Sequence, residues 1–200
     1  MKKVMHRLTI LFAIITIISI VLYSYTESTF VYSLGVTFFT FLYHFAMRLL
    51  VGLFCDKFVK TKPESKWFNQ KTFEKKLYNF LRVKKWKEHI PTYYPEAFDI
   101  EKNTLEQIEK NMCGAEVVHE IIMVLSFIPL LFAIPFGVFP VFFITSVIAS
   151  LVDFVFVIVQ RYNRPRIIKL IRYKNNSCKN WILQLLFLYH IFISQIQNYQ

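Results

Sequence analysis

Four apolar runs, each near the length of a membrane span, limit what this 200-residue chain can fold into. Leu8 to Tyr25 is an uncharged run of 18 residues, long enough for a short or tilted spanning helix. A second run covers roughly Phe30 to Phe54 and is interrupted by His44 and Arg48. The third extends from about Val117 to Ile134 and the fourth from Phe136 to Val159, with Pro135 and Gly137 between them as turn formers. A chain that is 55% apolar and 18% aromatic is too greasy for an ordinary soluble domain. The pattern predicts an all-α polytopic membrane protein built from two transmembrane helical hairpins.

Charge gives that arrangement a direction. Lys2, Lys3 and Arg7 precede the first run, whereas the short loop near Tyr25 to Thr29 carries only Glu27. Thirteen Lys and Arg residues lie between Cys55 and Glu116, and seven more from Arg161 to Lys179. With the N-terminal three, 23 of the 24 basic residues fall on one side, and Arg48 is the exception. The positive-inside rule therefore places the N-terminus and the middle loop in the cytoplasm. The division that follows is an N-terminal hairpin at 1–54, a basic cytoplasmic helical loop at 55–115, a second hairpin at 116–166 and a C-terminal segment at 167–200. A cleaved signal peptide is the rival reading of residues 1–28, but no small-x-small site stands out around Tyr23 to Ser28, which favours an uncleaved helix.

In the middle loop, Trp67, Phe68, Phe73, Leu77, Tyr78, Phe80 and Leu81 alternate with lysines, the loosely amphipathic pattern of helices on an anionic membrane surface. Arg82, Lys84, Lys85, Trp86 and Lys87 then set basic groups beside an indole, in a strip that stops at Pro91. Thr104 is expected as the N-cap of a helix leading into the third span, with Gln107 completing a capping box. Trp181 to Ile193 is short for a span and is expected as an interfacial or re-entrant helix. Cys55, Cys113 and Cys178 fall at or near the cytoplasmic face, where thiols stay reduced. No close Cys or His pair offers a metal site. No bound cofactor is expected, and nothing points to a nucleic-acid partner.

Chemistry-bearing residues gather where the spans meet the basic loop. Glu116, His119 and Glu120 share one helical face by their spacing. An imidazole beside a carboxylate is simple machinery for taking a proton from a hydroxyl. The same cluster also suits an ordinary polar patch at the headgroups. In the run from Gln160 to Arg166, the side chains of Gln160, Arg161, Asn163, Arg164 and Arg166 surround a rigid Pro165. Arginine forks match phosphate or carboxylate oxygens, and a basic flank equally suits a role of orienting a span. Asp153 lies eight residues before Arg161, and Arg48 eight before Asp56, so both sit about 12 Å into the bilayer from the same side. A lone charge there costs roughly 2.5–3.5 kcal/mol, which favours pairing Arg48 with Asp153. The pair would hold the hairpins together or line a polar pocket that His44 extends.

The segments RVKKWKEHIP at Arg82 to Pro91, AEVVH at Ala115 to His119 and IVQRYNRPR at Ile158 to Arg166 carry a resemblance, in order and approximate spacing. With them the chain resembles the glycosyl-4,4'-diaponeurosporenoate acyltransferases of staphyloxanthin-type carotenoid biosynthesis. The resemblance covers about Phe68 to Arg172. It implies a bacterial cell-membrane O-acyltransferase that esterifies a sugar hydroxyl of a glycosylated carotenoid or related glycolipid. The donor would be a fatty acyl thioester, acyl-CoA or acyl-ACP, with the acyl carrier met by the strip at Arg82 to Lys87. His119 would be the general base, Glu116 or Glu120 would orient it, and Arg161, Arg164 and Arg166 would hold donor phosphate or the oxyanion. Gly114 and Glu120 depart from the family pattern, which has Arg and Trp there, as do Asp153 and Val155, where it has Asn and Pro. The other reading is a non-catalytic membrane scaffold or lipid-binding accessory whose basic face docks on anionic membrane lipid. The absence of a His-x-x-x-x-Asp pattern argues against the common glycerolipid acyltransferases.

Overall fold

A computed structural model describes residues 2–197, with side chains for 3–55 and 59–177. Helix α1 (Lys2–Thr26) and α2 (Thr29–Phe58) form the first hairpin. The stretch between the hairpins holds α3 (Thr72–Phe80) and the single turn α4 (Val83–Trp86), together with three short 3-10 turns. Helix α5 (Leu105–Leu125), a 3-10 turn at Ile128–Phe132, the short α6 (Ala133–Phe136) and the long α7 (Phe139–Gln197) complete the chain. No strand occurs among the described residues. Four of these stretches, Lys3–Thr26, Thr29–Cys55, Leu105–Phe136 and Phe139–Ser177, are long and apolar enough to cross a membrane. The fold is the all-α, polytopic one expected.

The two hairpins are α1 against α2 and α5 against α7, with α2 touching both members of the second pair. Met47, Val51, Cys55 and Ile122 form one buried cluster between them. Tyr32 donates to the carbonyl of Phe136 at 2.8 Å and Tyr43 to that of Leu125 at 2.9 Å, tying α2 to the second hairpin twice more. Large apolar side chains such as Ile10, Ile17, Leu53, Ile148 and Leu151 point outward and are more than half exposed. Such a surface is stable only against lipid tails.

Helix α5 starts where expected, since the Thr104 hydroxyl accepts from the amide of Gln107 at 3.2 Å. The reciprocal half of the capping box is not used: the Gln107 amide group donates to Asn111 one turn on. The third span also differs from a single helix. Its α-helix ends at Leu125, and Pro129, which cannot donate a backbone hydrogen bond, opens the 3-10 turn that follows. The reversal comes just after Pro135, at Gly137 (φ 66°) and Val138 (φ 45°). Beyond Arg166 the backbone does not start a new element. Pro165 is accommodated inside α7, which continues past it. The side chains of Trp181 to Ile193 and of Cys178 lie outside the described residues.

The stretch between the hairpins, with α3 and α4, forms a cap fastened to α7 by apolar contact and by one turn of unusual backbone. Tyr78, Val83 and Ile158 are buried together, with Leu81, Trp86 and Tyr162 packed around them. Arg82 adopts a left-handed conformation (φ 50°), which breaks α3 from α4 and turns the chain back onto α7. The Trp86 indole closes that corner by donating to the carbonyl of Leu81 at 2.8 Å.

Candidate active site

The residues singled out by sequence converge on the junction of α2, α5 and α7, beneath the cap. Arg48 and Asp153 form the expected ion pair between α2 and α7. The Arg48 fork is further occupied by the carbonyls of His44 (3.0 Å) and Ala149 (3.2 Å), so its donors are spread over both helices. Asp153 is almost wholly buried. Its second oxygen, Oδ1, lies 2.9 Å from His119 Nδ1 on α5. One carboxylate therefore joins three helices and satisfies two partners.

This changes the roles assigned to the carboxylates. Neither Glu116 nor Glu120 orients His119; Asp153 does, because spacing on one helix places the glutamates beside the histidine without aiming them at it. Glu116, fully buried, accepts from Arg161 Nε at 2.7 Å. Glu120 accepts from the Trp67 indole at 3.0 Å and lies 3.8 Å from Arg161. The contact to Asp153 occupies Nδ1 of His119 and leaves Nε2 as the ring nitrogen not engaged by the carboxylate. The imidazole is stacked on Phe156, with centroids 4.7 Å apart and planes 9° apart, which fixes its orientation. Its side chain stays 23% exposed.

The arginines of the Gln160 to Arg166 run divide in two. Arg161 clasps the cap to the bundle, donating to Glu74 (2.6 Å), Glu116 and the carbonyl of Trp67 (3.0 Å). Arg164 is buried against the Phe68 ring and bonded to the Phe68 carbonyl, with Glu109 at 3.6 Å. Both guanidinium groups are turned inward and held by the protein itself, although Arg164 Nε has no hydrogen-bond partner. Arg166 is different: it is exposed and meets only the Tyr162 ring and hydroxyl. Asn163 accepts from Lys87 at 3.1 Å, joining the Arg82 to Lys87 strip to α7. Lys84 and Lys85 remain exposed, as do Arg82 and Gln70 nearby. Gln160 is half-buried on α7.

Sequence reasoning did not assign Trp67, Glu74 or Phe156 to this junction. It read Asp153 with Arg48, as a tie between the hairpins or the lining of a polar pocket, and did not join it to His119. Both ring nitrogens of buried His44 and the hydroxyl of buried Ser146 have no protein partner. An apolar groove of about 320 Å³ runs along α5 from Glu120 past Ile121 and Val124 to Leu125. Outside the spans, Tyr78 has its phenol raised above its usual pKa, by burial and by the hydrogen bond to Glu74. Among the described residues no three His, Cys, Asp or Glu side chains cluster as a metal-ligand set.

Residues 64–173, more than half of the chain, match the family model of glycosyl-4,4'-diaponeurosporenoate acyltransferase. The matched stretch holds the cap, His119, Asp153 and every residue of the Arg161 clasp. No curated protein and no solved structure matches the chain.

Proposed function

Because the chain belongs to the glycosyl-4,4'-diaponeurosporenoate acyltransferase family, we propose that it transfers a fatty acyl group from a thioester to a sugar hydroxyl of a glycosylated carotenoid or related glycolipid. The observation that carries this reading is the His119–Asp153 contact, with Nδ1 committed to the carboxylate and Nε2 left for substrate. His119 Nε2 takes the proton of the sugar hydroxyl as its oxygen attacks the thioester carbonyl. Asp153 stabilises the imidazolium that forms, as Arg48 holds the carboxylate in place. When the tetrahedral intermediate collapses, the C–S bond breaks and the imidazolium returns the proton to the leaving thiolate. One ester forms, one thiol leaves and the enzyme is regenerated.

The donor, acyl-CoA or acyl carrier protein, approaches from the cytoplasmic side of a bacterial cell membrane, where the positive-inside rule puts the cap. Lys84 and Lys85, exposed on α4, face an acidic carrier. The acceptor is delivered from the membrane, which suits a base on a spanning helix.

His119→Ala tests this directly. The purified full chain should stay folded in the membrane while acylation falls by about a hundredfold or more, the usual scale for a lost acid-base group. Full complementation of a deletion strain by His119→Ala at native expression would leave a scaffold as the better reading.

A further inference from the structure

On the face of α7 turned away from the His119 site, a second pocket of about 260 Å³ opens at the cytoplasmic end of the bundle. Gln70, Lys75, Tyr78, Asn79, Tyr162 and Arg166 line it. No carboxylate lines it: Glu74, the nearest in sequence, is already bound to Arg161 and to the Tyr78 hydroxyl. Arg166 donates to the Tyr162 hydroxyl at 2.9 Å and lies 4.6 Å from that ring's centroid, while Lys87 Nζ lies 5.7 Å from the same centroid. Two cations therefore gather at the Tyr162 ring and Lys75 lines the pocket beside them, and the partners of Arg166 and Lys87 are neutral. This contrasts with Arg48, Arg161 and Arg164, each of which meets a carboxylate. The donors and charge are those of a phosphate site.

The surroundings decide which phosphate. Tyr162 is nine residues after Asp153 on α7, and at 100° per residue it faces the opposite way. The pocket is thus not on the approach to His119. It stands instead at the end of an apolar stripe on the same face, where Ile148 and Leu151 are 56% and 57% exposed. Val155, seven residues before Tyr162, continues the stripe toward the pocket. Apolar surface below and cations with aromatic rings above is the layout of a phospholipid's tails and headgroup. We propose that this pocket is a specific site for an anionic phospholipid of the cytoplasmic leaflet, separate from the acyl-transfer site, with the headgroup phosphate held by Lys75 and Arg166 and the tails along α7. The site does not depend on the proposed reaction. A lipid seated there would brace α3 against α7 next to the Arg161 clasp.

The test is lipid retention by the full chain in nanodiscs of phosphatidylcholine containing a fixed fraction of phosphatidylglycerol. Native mass spectrometry should find phosphatidylglycerol retained by the wild type, with the unfolding midpoint raised relative to pure phosphatidylcholine. In the Lys75→Gln/Arg166→Gln double variant retention should fall about tenfold or more. Lys62→Gln/Lys66→Gln, the same charge change at two exposed lysines outside the pocket, should retain the lipid. A second arm measures coenzyme A and inorganic phosphate binding in pure phosphatidylcholine. Equal loss in both double variants would reduce the effect to net charge and overturn the site. Unchanged phosphatidylglycerol retention together with lost coenzyme A binding in Lys75→Gln/Arg166→Gln would overturn the lipid assignment and give the pocket to the donor.

Discussion

The two hairpins solve the same problem of living in lipid by different means. In α1 the hydroxyls of Thr9, Thr16, Ser19, Ser24 and Thr26 each donate to the carbonyl four residues back, so every one is satisfied within its own helix. Its grip on α2 is made by shape: Phe12 sits among Phe38, Phe41 and Phe45, and Gly35 lets the helices close to where an added Cβ would meet the Ser19 Cβ at 3.2 Å. In the second hairpin the polar side chains reach across. Asp153 joins α7 to α2 and α5, and Arg161 joins α7 to α5 and the cap. A span needing only to persist can use small residues and local hydroxyl bonds. Interhelical charge is costly in a bilayer and marks the places where geometry itself is the product.

The contrast can be broken most sharply at Asp153. Asp153→Ala strands Arg48 and frees His119, so it should cost about 3–5 kcal/mol of stability and abolish acylation, read as membrane-fraction abundance and turnover. Replacing both Arg48 and Asp153 by leucine should restore much of the abundance and none of the turnover. Additive losses, with the double variant losing the sum of the two single variants, would mean that the pair is not coupled. Next in size is Arg161→Lys, which keeps the charge and loses the fork that spans Glu74, Glu116 and the Trp67 carbonyl. About 2 kcal/mol should be lost, seen as faster limited proteolysis between residues 60 and 104 while the spans stay protected.

The first hairpin should answer differently. Gly35→Leu overfills the contact with Ser19 and should cost about 1–2 kcal/mol, yet leave turnover per folded molecule unchanged. A fall in turnover would show that α1 reaches the site after all. The smallest effect belongs to Tyr78→Phe, which removes the bond to Glu74 at about 1 kcal/mol. Tyr78 keeps its proton in the folded state at a pH where the unfolded chain releases it. Wild-type stability should therefore decline as pH rises above about 10, the ordinary tyrosine value. Tyr78→Phe should lack that part of the alkaline decline in a thermal-melt series.

Much of the architecture was legible because bilayer thickness writes itself into the chain as apolar runs, and hairpin reversal into residues such as Gly137. Even the pairing of Arg48 with Asp153 followed from counting back to the basic flanks. The break in the third span at Leu125 was not legible, since apolar content carries through the 3-10 turn around Pro129 without change. The carboxylate in contact with His119 was missed for a related reason. Helical spacing finds neighbours on one helix, so it offered Glu116 and Glu120 to His119. Asp153 comes from another helix, and its pairing depends on how α5 and α7 are rotated against each other. Arg161 and Arg164 were likewise read as open forks, because a sequence shows donors but not the Glu74, Glu116 and Phe68 groups that fill them.

The Arg48–Asp153 pair also imposes an order on the protein's birth. The two residues are 105 positions apart, roughly 5–20 s of synthesis. During that interval the first hairpin must enter the membrane carrying a guanidinium whose counter-charge has not yet been made. The strongly apolar α1 and the aromatic contacts of Phe12 supply the cohesion to hold it there. A nascent chain released before α7 emerges would keep an uncompensated cation in its second span, and so would present quality-control proteases with a ready sign that it is incomplete.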